Sequence, residues 1–125
     1  MAKIVIIDDS RMMRTVLRRI LEKGGHEVVD WEPMSAAEIM EKVTAENPDL
    51  LISDYQMPGA NGATVVKMAR KAKPGIKVIV FTALRDEEVV ALLGRVEADA
   101  VLTKPAHEES LLDAVKTILE RDGRA

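Results

Sequence analysis

Short, almost unbroken apolar runs alternate along the chain with longer stretches whose apolar residues recur every three or four positions. The runs predict strands at 3–8, 27–31, 50–54, 77–81 and 100–103. Between them, Met13, Val16, Leu17, Ile20 and Leu21 form a stripe of helical period that stops at Gly24-Gly25, with Ser10 as its N-cap. Ser35-Ala36-Ala37-Glu38 reads as a capping box opening a second helix with Ile39, Met40 and Val43, which Asn47-Pro48-Asp49 ends. A third helix is expected over 63–73, stopped by Pro74-Gly75. Asp86 can cap a fourth, carrying Val89, Val90, Leu92, Leu93 and Val96, and the fifth carries Leu111, Leu112, Val115, Ile118 and Leu119.

Five strand–helix units without a repeat or linker predict a single α/β domain over residues 1–125. Each crossover is a helix, so the strands run parallel, and right-handed crossovers place helices on both faces of a doubly wound sheet. Strands apolar on both sides are what a sheet covered on both faces requires. Composition is ordinary for a globular chain of this size, with 47% apolar and 31% charged residues. Aromatics make up only 2%, so Val, Ile, Leu, Met and Ala must fill the core, and the seven methionines are expected as core and turn filler. The net charge of −3 offers no basic footprint for direct nucleic-acid binding. The four apolar residues before Asp8 are too few for a signal peptide or a membrane span, and the absence of cysteine excludes disulfide and thiolate chemistry. A cytoplasmic protein that does not engage a membrane is expected.

The chemistry lies where the strands end. Ile4-Val5-Ile6-Ile7 runs into Asp8-Asp9, Leu50-Leu51-Ile52-Ser53 into Asp54, and Val101-Leu102-Thr103 into Lys104-Pro105. With Thr82, these residues share the carboxyl edge of a parallel sheet, where open α/β folds bind ligands. Three carboxylates gathered there repel one another unless protonated or bridged by a cation, and an all-oxygen set suits a hard ion such as Mg²⁺. A carboxylate can attack phosphorus to give an aspartyl-phosphate, and a lysine can neutralise the transferring group. Thr82 offers a hydroxyl to a phosphoryl oxygen, and Pro105 restrains the Lys104 backbone to an extended conformation. His26 and His107 have no partner at ligand spacing and are expected as surface or capping residues; Trp31, at a strand end, is expected to be partly exposed.

Asp8-Asp9, the segment Asp54-Tyr55-Gln56-Met57-Pro58-Gly59-Ala60-Asn61-Gly62, Thr82-Ala83 and Lys104-Pro105 together resemble the receiver domains of two-component response regulators, across essentially the whole chain. The resemblance implies a flavodoxin-like sheet in the order 2-1-3-4-5. It implies Asp54 as phosphoacceptor, and Asp8, Asp9, Asp54 and the main-chain carbonyl of Gln56 as Mg²⁺ ligands. Thr82 matches the switch hydroxyl and Lys104 the phosphoryl-contacting lysine. A histidine kinase or phosphotransfer protein is implied as donor. The signal would pass to a downstream protein or to an output domain outside this sequence. The implied role is a phospho-accepting switch with self-phosphorylation and self-dephosphorylation capacity, not a dedicated enzyme.

Three positions depart from the family pattern. Val101 stands where an aromatic usually does, Ala106 where an aromatic often follows Lys-Pro, and Glu97 where glycine is common. Gln56 and Leu84 occupy positions that influence access of hydrolytic water in such domains. The alternatives are a receiver-like interaction module that works without phosphorylation and a phosphatase with an aspartyl nucleophile. The second needs acids two residues apart and a cap domain, whereas here the acids are adjacent in a chain of 125 residues.

Overall fold

A computed structural model of the chain describes residues 2–57, 61–83 and 87–121. Its elements follow one another as β1 (Lys3–Ile7), α1 (Arg11–Lys23), β2 (Glu27–Trp31), α2 (Ala36–Glu46), β3 (Leu50–Asp54), α3 (Gly62–Ala72), β4 (Lys77–Thr82), α4 (Glu87–Arg95), β5 (Ala100–Thr103) and α5 (Glu108–Glu120). The strands are parallel and ordered β2-β1-β3-β4-β5. The expected alternation and strand order therefore hold.

Alternation along each strand sorts the core into two layers. Ile4 and Ile6, with Leu50, Ile52, Ile79 and Phe81, pack beneath α1 and α5 against Leu17, Leu21, Leu111, Val115 and Ile118. Val5 and Ile7, with Leu51, Val78 and Val80, pack beneath α2, α3 and α4 against Ile39, Val43, Val65, Val66 and Leu93. Each fully buried aliphatic side chain contributes about 1.5–3 kcal/mol, so this sandwich fixes the strand register. Register in turn fixes which residues emerge at the carboxyl edge.

Local signals set the helix ends. Ser10 Oγ accepts from Met13 N, the Ser35–Glu38 capping box forms in both directions, and Asn47 closes α2 in the left-handed conformation at φ 49°. Gly25 adopts φ +89° where the chain leaves α1. The third helix begins one residue earlier than expected because Asn61, not anticipated as a cap, accepts from Thr64 N at 3.0 Å. Asp86, the expected cap of α4, lies outside the described residues. So do Leu84, Pro58-Gly59-Ala60 of the central motif, and the tail at 122–125.

Several smaller expectations are corrected. The first strand ends at Ile7 rather than Asp8, and the fourth continues to Thr82. Trp31 is buried against the α2–α4 side, with the Lys42 ammonium 5.5 Å from its ring centroid, rather than partly exposed. Its neighbour on the strand, Asp30, points to the α1 side, where Arg14 and Arg18 contact it. Val16, placed in the buried stripe of α1, is 40% exposed, and Met12 is 77% exposed, so this methionine is not core filler. Met34, Met57 and Met68 do pack against the core. No described helix is long and apolar enough to cross a membrane.

Candidate functional site

Asp8 and Asp54 reach the carboxyl edge because neighbouring strands β1 and β3 end there in register, Ile7 lying opposite Ser53. Asp54 is the last residue of β3 and pairs with Phe81, which places Thr82 one residue beyond it on the adjacent strand. Thr82 in turn pairs with Thr103, so Lys104 follows at the same edge. Asp8 and Asp54 are buried and Asp9 is exposed. Asp8, Asp9 and Asp54 each offer a carboxylate oxygen, all within 4.8 Å of one another. Lys104 Nζ lies 3.3 Å from Asp8 Oδ2 and 3.2 Å from Asp54 Oδ2.

The loops hold these groups firmly. Asp8 Oδ1 accepts from Ser10 N at 2.8 Å, which folds the acid back over the start of α1. Tyr55 N donates to Phe81 O at 2.8 Å and Lys104 N to Thr82 O at 2.9 Å, so main-chain bonds tie both loops to β4. The Lys104–Pro105 peptide bond is cis. The helix after Asp54 sits close: Gly62 N donates to Tyr55 O at 2.8 Å. A Cβ at Gly62 would fall 2.9 Å from Val80 Cγ1 and 3.0 Å from Tyr55 Cα, so only glycine fits there without displacing its neighbours.

Charge in the cluster is unevenly met. Burial raises the Asp54 pKa above its usual 3.8; Lys104 opposes that rise, and the charges of Asp8 and Asp9 reinforce it. For Lys104, burial works to lower the pKa, but Asp8 and Asp54 outweigh it and the net direction is upward from 10.5. A carboxylate crowded by two others and contacted by one ammonium is relieved by a further cation. The donor set fits a hard divalent ion, because it is all oxygen and already collected on one edge.

Of the sequence-predicted residues, Asp8, Asp9, Asp54 and Lys104 are brought into one cluster, with Thr82 buried on the adjoining strand. Gln56 stands exposed in the bend just beyond Asp54. His26 accepts from Ala2 N at 3.2 Å at the opposite edge, and His107 is exposed at the N-cap of α5 without a side-chain capping bond. Val101 is half-buried and packs against the α2–α4 core layer.

Two residues absent from the sequence-based set belong beside the site. Ser53 is fully buried and its Oγ donates to Asp54 O at 2.9 Å. Arg14 is buried in α1 and its Nη1 donates to the main-chain carbonyl of Asp8. Its signal was available: Arg14 shares a helical face with Leu17 and Leu21, at spacings of three and seven, and a cation on a buried face next to two acids calls for a partner.

Residues 4–116 match the model of the response regulator receiver domain. The chain is 32% identical over 120 residues to the chemotaxis protein CheY of Halobacterium salinarum, covering 95% of this chain and 98% of that protein. It is 33% identical to the alkaline phosphatase synthesis transcriptional regulatory protein PhoP of Bacillus subtilis, again over 95% of this chain but only 49% of the relative, about half its length. Among solved structures, a CheY-like response regulator receiver domain protein from Methanospirillum hungatei superposes with a TM-score of 0.87 at 29% identity, covering 97% of this chain and 95% of that one.

Proposed function

Because this chain belongs to the response regulator receiver-domain family, we propose that residues 1–125 form a phospho-accepting switch whose acceptor is Asp54, supplied by a histidine kinase or phosphotransfer protein. The observation that carries this reading is the cluster itself: three carboxylates within 4.8 Å of one another, with Lys104 Nζ 3.2 Å from Asp54 and 3.3 Å from Asp8.

Asp8, Asp9, Asp54 and the main-chain carbonyl of Gln56 are the residues that would hold Mg²⁺, which would supply charge neutralisation to the phosphoryl oxygens. An Asp54 carboxylate oxygen forms the new O–P bond as the N–P bond of a phosphohistidine breaks, its electron pair returning to the imidazole nitrogen. Lys104, already within hydrogen-bond range of Asp54, donates to a phosphoryl oxygen and leaves Asp8 the freer acid. The phosphoryl group carries about −1.5 to −2 charge while the Asp54 carboxylate gives up its own. An edge that is negative at the outset thus gains about half to one further negative charge, and retention of the group depends on these cations. The Thr82 hydroxyl turns to the new oxygen, and the surface of α4 and β5 shifts with it. With Val101 in place of an aromatic, that shift rests on Thr82 and the adjoining backbone rather than on a ring changing rotamer. The recipient is a downstream protein or an output domain of a longer regulator, and the setting is cytoplasmic.

Intact mass after incubation with Mg²⁺ and acetyl phosphate tests the reading. One phosphoryl adduct is expected on the wild type, none on Asp54→Asn, and none in the presence of chelator. Undiminished labelling of the variant would remove Asp54 from its role. No adduct on the wild type, even with a phosphorylated histidine kinase supplied, would favour a module that works without phosphorylation.

A further inference from the structure

We propose that Arg14 is a positioning residue for the divalent cation, acting through the main-chain carbonyl of Asp8; the inference rests on the metal reading above. The β1 ladder stops at Ile7, so the Asp8 carbonyl leaves the sheet without a strand partner. A buried carbonyl in that position needs another donor. Arg14 Nη1 supplies it, from a side chain that is itself buried. The rest of the guanidinium is held by the neighbouring strand and its loop. Nε donates to Asp30 Oδ2 at 3.2 Å, and Nη2 lies 3.8 Å from Glu32 Oε1.

Asp30 is fixed in turn. Its other oxygen pairs with Arg18, whose Nη2 donates to Val28 O at 3.1 Å. The chain of contacts therefore runs from the β2 backbone through Asp30 and Arg14 to the backbone of Asp8. Asp8 is held from two sides, by Arg14 at its carbonyl and by Ser10 N at its carboxylate. Asp9 is exposed, and among the described residues it makes no hydrogen bond of its own, so its direction follows the backbone that Arg14 anchors.

A planar fork is required for this task. One guanidinium serves the Asp8 carbonyl and the Asp30 carboxylate at once, in two directions, whereas a lysine ammonium on a flexible stem cannot span both. Groups that orient metal ligands from behind typically control affinity by about 10–100-fold. The simpler readings are an ion pair that only adds stability and a counter-charge that only relieves repulsion among the acids. They predict different outcomes.

The experiment is calorimetric titration of MgCl₂, without phosphodonor, into the wild type, Arg14→Lys, Arg14→Gln and Arg70→Gln, the last breaking an ion pair with Asp99 away from this network, with thermal unfolding of each in chelator. Positioning predicts Mg²⁺ binding about tenfold weaker in both Arg14 variants, and unchanged in Arg70→Gln whatever its melting temperature. Should Arg14→Gln fail to fold, Arg14→Lys, which keeps the charge, carries the result. Arg14→Lys binding like the wild type overturns the proposal, as does tighter binding by Arg14→Gln, the signature of a pure counter-charge. Loss of Mg²⁺ affinity in Arg70→Gln in proportion to lost stability also overturns it. A wild type that takes up no Mg²⁺ removes the metal reading and this inference together, whereas a binding wild type with unaltered Arg14 variants removes this inference alone.

Discussion

At the amino edge of the sheet the acids are matched, whereas at the carboxyl edge Asp8, Asp9 and Asp54 crowd together and, among the described residues, Lys104 pairs with only two of them. Asp99 accepts from Val78 N at 2.7 Å and from Arg70 Nη2 at 2.7 Å. Asp49 accepts from Lys3 N at 2.9 Å, and Lys3 Nζ reaches Glu46 at 2.9 Å. Asp99 and Asp49 each close an open N–H where a strand begins. Among the described residues, Lys104 is the single cation within ion-pair distance of Asp8, Asp9 or Asp54. The same residue types therefore serve opposite ends: at one edge they complete the fold, and at the other they leave three carboxylates within 4.8 Å of one another. Local inconsistency of this kind is expected where function, not stability, sets the residues.

The largest effect should come from breaking the matched edge. Arg70 also donates Nε to Ile76 O and Nη1 to Glu97 O, each at 3.0 Å, so it joins the ends of α3 and α4 to the starts of β4 and β5. Arg70→Met should cost about 2 kcal/mol, since it strands Asp99 beside a partly buried strand end. Urea unfolding measures that loss, and phosphorylation by acetyl phosphate below the transition should survive it. A variant that unfolds normally but no longer labels would show that the two edges are not separate in function.

Gly62→Ala ranks next and falls between the edges. The added methyl meets the Tyr55 backbone at 3.0 Å, so either α3 moves or the loop after Asp54 does. Overpacking of this kind costs about 1–3 kcal/mol. Here the site should suffer with the fold: both the urea midpoint and the labelling rate should fall. Loss of stability with an unchanged labelling rate would show that α3, not the Asp54 loop, takes up the strain.

A smaller change should run the other way. Glu97 holds φ 62°, a left-handed conformation that costs a side chain about 1–2 kcal/mol relative to glycine. Its carbonyl is bound by Arg70, so the conformation is retained by the matched edge. Glu97→Gly should stabilise the protein by about 1 kcal/mol, less the added entropy of the unfolded chain, and leave labelling unaltered. A lower melting temperature would mean that the Glu97 side chain itself contributes to the edge.

These contrasts follow how much the sequence could reveal. Strand ends were legible because an apolar run that stops at an acid or lysine delivers that residue to one edge, and Asp8, Asp54 and Lys104 arrived together for that reason. The Ser10 and Ser35 caps were legible because capping is a local interaction. Arg14 was marked as buried by its spacing from Leu17 and Leu21, but its partner Asp30 lies across the α1–β2 contact, which no spacing along the chain expresses. Trp31 escaped likewise: alternation does not say which side of an outer strand a helix will cover. Val16 extends the apolar stripe of α1 beyond what the sheet can bury, so periodicity overstated the core, and the exposure of Met12 shows that composition alone does not place a methionine inside. Glu97 is a plainer case, since its departure from glycine marked the left-handed turn that the structure contains.

The smallest effect concerns the acids themselves, and its sign separates the edges. Asp54 titrates above its ordinary value because it is buried, with Asp8 and Asp9 adding to the rise against Lys104. A raised folded-state pKa means that the native protein holds the proton more tightly than the unfolded chain does. The corresponding stability is fully present below the unfolded value of about 4 and is lost as pH rises through the folded pKa. In chelator, the wild type should therefore lose stability relative to Asp54→Asn as pH rises from about 4 towards neutrality, and the gap should then level off. Lys104 limits the size of this loss, because its ammonium lies 3.2 Å from Asp54 and remains charged throughout that range. Urea midpoints for both proteins across that range provide the measurement. Mg²⁺ added at neutral pH should raise the wild-type midpoint and leave the variant's less affected, since the ion supplies the counter-charge that the variant no longer needs. Parallel curves, or a wild type that gains on the variant as pH rises, would mean that Asp54 is as well matched as Asp99.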